Sequence, residues 1–277
     1  MALKIDAHQH FWQFDPVRDS WITDDMAVIQ KNFLPEGSLE VLKANGFDGC
    51  VAVQASQSES ETEFLLALAE SNDFIKGVVG WVDLKSNDIY ERLEYFSQFE
   101  NVKGFRHVVQ GEKDPEFMLK PDFRRGITEL GAYDFTYDIL IYYHQLAQSI
   151  QFAKLFPDQK FVLDHIGKPD IKGTEINEWR KEIRKLALYE NVNCKLSGMI
   201  TEADWQNWKE EDLRGYLDVV FEAFGTDRLM FGSDYPVCLV AGSYEKMLAV
   251  IDNYISKLSA SEKAKILGEN AVRFYNL

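Results

Sequence analysis

The chain reads as a single-domain (β/α)₈ barrel over residues 1–277. Apolar strand-like runs alternate with helix-period segments through the whole length, and eight such pairs can be counted. About 260 residues for eight pairs is the usual size of that barrel. The main competitor, an open doubly wound sheet, commonly has five or six strands and a glycine-rich phosphate turn. No Gly-x-Gly-x-x-Gly follows any run here.

The first strand spans Lys4 to His10 and ends in His-x-His. Period-two alternation puts Asp6, His8 and His10 on one strand face, with Asp6 able to orient one imidazole. An aromatic, irregular stretch then runs to about Pro35; so long a loop after a short strand commonly serves a site. Gly37 to Asn45 is a short helix, and Gly49 to Gln54 a nearly continuous apolar strand of the parallel-sheet type. Thr62 to Asn72, Ile89 to Phe99, Asp122 to Ala132 and Gln145 to Phe156 read as helices. Between and after them, Lys76 to Val82, Val102 to His107, Phe135 to Ile141 and Lys160 to His165 read as strands. Glu175 to Tyr189, Asp212 to Phe224 and Tyr244 to Leu258 complete the long helices; Val192 to Leu196 and Arg228 to Gly232 complete the strands. Ser259 to Glu262 is a capping box that opens a terminal helix.

Composition narrows the function. Hydrophobic residues make up 46% of the chain and aromatics 13%, enough for a large core. A net charge of −15 and a pI near 4.8 argue against nucleic-acid binding and against adsorption to anionic lipid. No apolar run reaches the roughly 20 residues of a membrane helix, and the amino terminus does not resemble a signal peptide. Three dispersed cysteines, Cys50, Cys194 and Cys238, point to reduced thiols in a cytoplasmic protein.

In such barrels the chemistry sits at the carboxyl ends of the strands. His8 and His10 end strand one, Gln54 strand two, Trp81 and Asp83 strand three, and Arg106 with His107 strand four. His144 lies just past strand five, His165 ends strand six, Lys195 is near the end of strand seven, and Asp234 follows strand eight. His8, His10, His165 and Asp234 form a three-nitrogen, one-oxygen set suited to one Zn²⁺-like divalent ion. Asp234 is alternatively a general base for water. Arg106, His107 and Lys195 are candidate donors to an oxyanion or carbonyl. Gln54, Trp81, Trp12 and His144 are candidates to hold a substrate, although packing at the barrel mouth is the better reading for the aromatics. A serine-hydrolase elbow, Gly-x-Ser-x-Gly, is absent.

Four blocks carry a resemblance: Ile5 to Trp12, Phe161 to Pro169, Lys195 to Gly198 and Phe231 to Val237. Together they resemble the amidohydrolase superfamily, and within it the branch of sugar-lactone hydrolases that act on L-fuconolactone or L-rhamnonolactone. The resemblance implies a lactonase, an ester hydrolase for a small cyclic ester. Asp234 would activate water, and the histidines and cations would surround the carbonyl. It leaves both a metal-dependent and a metal-independent site open. Two departures from the wider superfamily argue against a two-metal centre. The end of strand five reads Ile139 to Tyr143, with His144 coming late where metal-dependent members often place a histidine, and Lys103 lies at the wrong end of strand four for the bridging lysine of two-metal members. A metal-dependent decarboxylase and a catalytically silent binding barrel are the alternatives. Neither the sugar nor the oligomeric state is specified. The loops Asp15 to Pro35, Val108 to Lys120 and Met199 to Glu211 are expected to choose the substrate.

Overall fold

The structure, a computed structural model, describes residues 2–277. Eight strands lie in one parallel sheet in sequential order: β1 (Ile5–Gln9), β2 (Gly49–Val53), β3 (Ile75–Gly80), β4 (Val102–Val108), β5 (Thr136–Leu140), β6 (Phe161–Leu163), β7 (Val192–Leu196) and β8 (Leu229–Phe231). Backbone bonds just past β8 close the ring. Asp234 N donates to His8 O at 2.9 Å and His10 N to Tyr235 O at 2.8 Å. The expected (β/α)₈ barrel is present.

Helices α1 (Pro35–Ala44), α2 (Glu59–Ser71), α3 (Ile89–Phe96), α4 (Pro121–Ala132), α5 (Leu146–Leu155), α6 (Asn177–Leu186), α7 (Glu210–Phe224) and α8 (Tyr244–Tyr254) follow the strands in turn. Their starts have local causes. Pro35 and Pro121 occupy the first turn of α1 and α4, where a missing N–H costs nothing. The Ser58 side chain accepts from Glu61 N, so α2 begins three residues before the expected Thr62. The terminal capping box forms as read, with Ser259 and Glu262 opening α9 (Ala260–Ala264) before α10 (Asn270–Tyr275). Among the described residues, no helix is long and apolar enough to cross a membrane.

Two apolar layers share the strands. Cys50, Ala52, Val78, Phe105, Ile139, Leu163 and Leu229 pack outward against the helices. Ile5, Ala7, Val51, Val53, Val79, Val162 and Met230 fill the barrel, with Phe274 and Tyr275 of α10 closing its lower end. The first strand departs from simple alternation. Ala7 faces the barrel, and so does His8, because the β1–β2 register shifts between Asp6 and Gln9. Asp6 therefore does not share a face with His8 and His10. Its carboxylate accepts from the backbone N–H groups of His8 (3.1 Å) and Ser233 (2.8 Å) and from Gln9 Nε2 (3.0 Å). It ties the bulge to the chain after β8 and orients neither imidazole.

Strand six also ends early, at Leu163 rather than His165. His165 (φ 53°), Ile166 (φ 49°), Gly167 (φ 75°) and Lys168 (φ 44°) are all left-handed, a conformation that leaves the sheet. The long segment after β1 is ordered. Trp12 and Phe33 pair their backbones, and Trp12, Ile22, Ile29 and Phe33 form a satellite cluster.

At the lower rim, Arg228 donates to the carbonyls of Ala187 (2.8 Å), Tyr189 (3.1 Å), Val192 (3.0 Å) and Ala223 (3.4 Å), joining α6, β7 and α7. Arg228→Met is expected to lower stability by about 2 kcal/mol, because half-buried carbonyls lose a charged donor. A urea unfolding midpoint, with unchanged slope, checks it.

Candidate active site

A cavity of about 300 Å³ opens where the strands end, lined by His10, Arg18, Trp21, Ser56, Gln57, Arg106, Val108, Gln110, Leu140, His165, Lys168, Asp234 and Val237. It holds four of the residues expected from sequence: His10, Arg106, His165 and Asp234. Beneath them, His8 and Lys195 are fully buried.

The irregularity in β1 aims His8 and His10 at Asp234. His10 Nε2 lies 3.3 Å from Asp234 Oδ1 and 3.2 Å from His8 Nε2; His8 Nε2 is 3.8 Å from the same carboxylate oxygen. Close packing is a condition of this geometry. A Cβ on Gly232 would fall 2.7 Å from His8 Cβ, and one on Gly198, itself at φ +61°, 2.6 Å from the His165 ring. The left-handed turn after β6 turns His165 into the cavity, where Nδ1 meets Ser197 Oγ at 2.8 Å.

Burial holds His8 well below its ordinary value, helped by the Lys195 ammonium, and lowers His165 to about 4, so both rings are neutral at pH 7. Burial alone would raise the Asp234 carboxyl. The surrounding imidazoles of His165, His10 and His8 outweigh it, and Asp234 stays ionised. Below the histidines, Arg106 Nη1 donates to Asp164 Oδ2 at 2.9 Å, and Lys195 Nζ contacts Asp138, Asp164 Oδ1 (3.0 Å) and His8 Nδ1 (3.1 Å). Gln54 locks Arg106 from behind: its Oε1 accepts from Nη2 at 3.2 Å, and its Nε2 donates to Arg106 O at 3.1 Å.

The donor set can hold a divalent ion. His10 Nδ1 donates to Val53 O at 2.7 Å, which leaves the Nε2 lone pair toward the site. At His8 Nδ1, Asp164 Oδ1 (3.4 Å) favours the same tautomer and the Lys195 ammonium (3.1 Å) the opposite one, so the ring can offer the Nε2 lone pair when Asp164 takes the Nδ1 proton. Two such lone pairs beside a carboxylate repel unless a positive group lies among them. Tetrahedral Zn²⁺ with bonds of about 2.0–2.1 Å needs ligand atoms roughly 3.3 Å apart, close to the separations of His8, His10 and Asp234. The Arg106 guanidinium, with Nη1 3.2 Å from His8 Nε2, is the other positive group available. The structure brings three of the four expected ligands together; His165 groups instead with His8 and Asp164.

Several expected residues lie elsewhere. Since Arg106 points into the barrel, His107 points out. Its Nε2 is 2.7 Å from Glu112 Oε1, its ring stacks on Phe117 at 4.7 Å, and Trp81 Nε1 donates to its Nδ1 at 3.4 Å. His107 and Trp81 are thus a packing pair behind β4, not groups facing Asp234. Trp12 is buried, donates to Lys31 O and packs edge-on against Trp21 and Phe33. His144 is exposed beside Tyr142. Gln54 and Lys195 act on the site through other side chains, because neither lines the cavity.

Arg18, Trp21 and Gln110 in the cavity come from two of the loops expected to choose the substrate, although the sequence did not single them out; Lys168 in the cavity, and Asp138 and Asp164 below it, were missed. The two aspartates had a signal, since a lone carboxylate inside an apolar strand needs a partner. For the loop residues the signal reached the loop but not the side chain, and Lys168 had none.

The amidohydrolase family model matches residues 5–277. The chain is 40% identical to an L-fucono-1,5-lactonase of Burkholderia multivorans, over 100% of this chain and 97% of that protein. It is 32% identical to an L-fucono-1,5-lactonase of Burkholderia ambifaria, with the same coverage. A crystal structure of an amidohydrolase from Burkholderia multivorans with bound zinc superposes with a TM-score of 0.96 at 40% identity, covering all of both chains. A relative of this identity and a family match across the barrel agree: the chain belongs to the amidohydrolase family.

Proposed function

We propose that the protein is a lactonase that opens a sugar lactone to its aldonic acid. The observation that carries this reading is the charge state of the cavity. Each cation that lines it has a carboxylate beside it: Arg106 has Asp164 at 2.9 Å, Arg18 has Asp19 at 2.7 Å, and Lys168 has Glu202 at 3.4 Å. The wall therefore offers many N–H donors but little net positive charge. That suits a neutral polyhydroxy ring better than a carboxylate substrate, which a decarboxylase must bind. A cavity of about 300 Å³ suits one ring. The lactonase relatives at 40% and 32% identity support the same reading.

In the proposed reaction the water oxygen attacks the lactone carbonyl carbon while its proton passes to Asp234. Arg106 donates to the developing oxyanion. Such a donor is worth about 3 kcal/mol. The tetrahedral intermediate then expels the ring oxygen, which takes the proton back from Asp234, so lactone and water yield the hydroxy acid. Lys168, Gln57 and Gln110, which line the cavity, would hold hydroxyl groups. His8, His10 and Asp234 would hold a divalent ion, which when bound supplies Lewis acidity to the carbonyl and lowers the pKa of water.

Asp234→Asn is expected to cut kcat about 10³-fold, measured as acid release from a panel of 1,5- and γ-lactones of hexoses and 6-deoxyhexoses. Turnover near that of the unmodified protein would remove Asp234 from the role of base. Calorimetric titration of the metal-stripped protein with Zn²⁺ is expected to show one ion per chain, with binding lost in His10→Ala. Full turnover in a preparation free of metal by elemental analysis would remove the ion from the reaction.

A further inference from the structure

A line of buried side chains connects the active site with the opposite end of the barrel. The Tyr275 hydroxyl, on α10, lies 2.9 and 3.0 Å from the two carboxylate oxygens of Asp138. Asp138 accepts from Lys195 Nζ, and Lys195 continues to His8 Nδ1 at 3.1 Å and Asp164 Oδ1 at 3.0 Å. The Lys195 ammonium also stands 5.5 Å from the Tyr275 ring centroid. None of these side chains is more than 1% exposed.

Closing the barrel does not require this arrangement. A phenylalanine would fill the same space without burying a hydroxyl, and Phe274 already supplies apolar closure. What the hydroxyl adds is a second donor to Asp138. The Lys195 ammonium stands among Asp138, which accepts from it, Asp164 Oδ1 at 3.0 Å and His8 Nδ1 at 3.1 Å; a proton given to Nδ1 puts the imidazole hydrogen on Nε2, whereas Asp164 accepting from Nδ1 leaves the Nε2 lone pair free. How strongly Asp138 holds the ammonium sets how far Nζ leans toward the imidazole. A hydroxyl bonded to Asp138 shares that carboxylate's charge and loosens its hold on Lys195.

We propose that Tyr275 and Asp138 are positioning residues of the active site: the carboxyl-terminal helix sets, through Lys195, the ring orientation and tautomer of His8. The inference rests on His8 belonging to the working site, but its test does not need a substrate.

The imidazole nitrogens of the five histidines, observed by long-range ¹H–¹⁵N correlation, are compared in the unmodified protein, Tyr275→Phe and Asp138→Asn. The His8 pair is identified by its loss in His8→Gln. Both variants are expected to shift the His8 nitrogens and to leave those of exposed His144 in place. With a lactone that is turned over, each is expected to lower kcat about ten-fold at unchanged KM, and the double variant to lose little more than either alone. A lower melting temperature with His8 resonances and kcat both at the unmodified values would overturn the proposal. Should no lactone be turned over by the unmodified protein, the lactonase reading fails and the His8 spectrum alone decides this one. Should Tyr275→Phe not fold, the Asp138→Asn spectrum decides.

Discussion

Two buried cations and two buried carboxylates inside the barrel are the constraint on which the site depends. Arg106, Lys195, Asp138 and Asp164 are all at most 4% exposed, and an unpaired charge in that setting would be prohibitive. They are tolerable because they balance, and because each finds several hydrogen-bond partners. The balance also fixes the state of His8. Burial already disfavours a protonated imidazole, which would add a third positive charge beside Lys195, so the ring stays neutral.

The rest of the upper face is built to hold that arrangement still. Asp6 pins the bulge in β1 to the residue after β8, so that His8 and His10 both reach Asp234. Four successive left-handed residues turn the chain out of the sheet at His165 and bring Lys168 to the cavity wall. Ile166 among them is a β-branched residue in a region that such residues avoid. Its side chain is wholly buried in the core, and its carbonyl accepts from Trp179 Nε1 at 2.8 Å. Core packing thus holds a backbone that would otherwise relax.

The mouth is formed by different means. Arg18 and Trp21 belong to the segment between β1 and α1, which is held by the Trp12–Phe33 backbone pair and by Arg18 bonding to Asp19. Trp21 is 40% exposed at the cavity edge and braced edge-on by Trp12. This part of the wall rests on a small cluster of its own, while the groups below Asp234 are set in the barrel.

Eight strand–helix units, their order and the upper-face position of His8, His10, Arg106, His165 and Asp234 could all be read from the chain as written. Periodicity and strand ends are local properties, and the barrel converts a strand end into a site. Which face each side chain took was less accessible. Arg106 and His107 are adjacent and both polar, yet strand alternation sends one into the barrel and the other behind it. One shifted register in β1 reversed the expected partnership of Asp6 with the histidines. Arg18, Trp21, Gln110 and Lys168 carry no periodic signal, because loops are placed by contacts distant in sequence. Asp138, alone in an apolar strand, signals that it needs a partner but not which one: Tyr275 lies 137 positions away and meets it only because the last helix closes the barrel into which β5 faces.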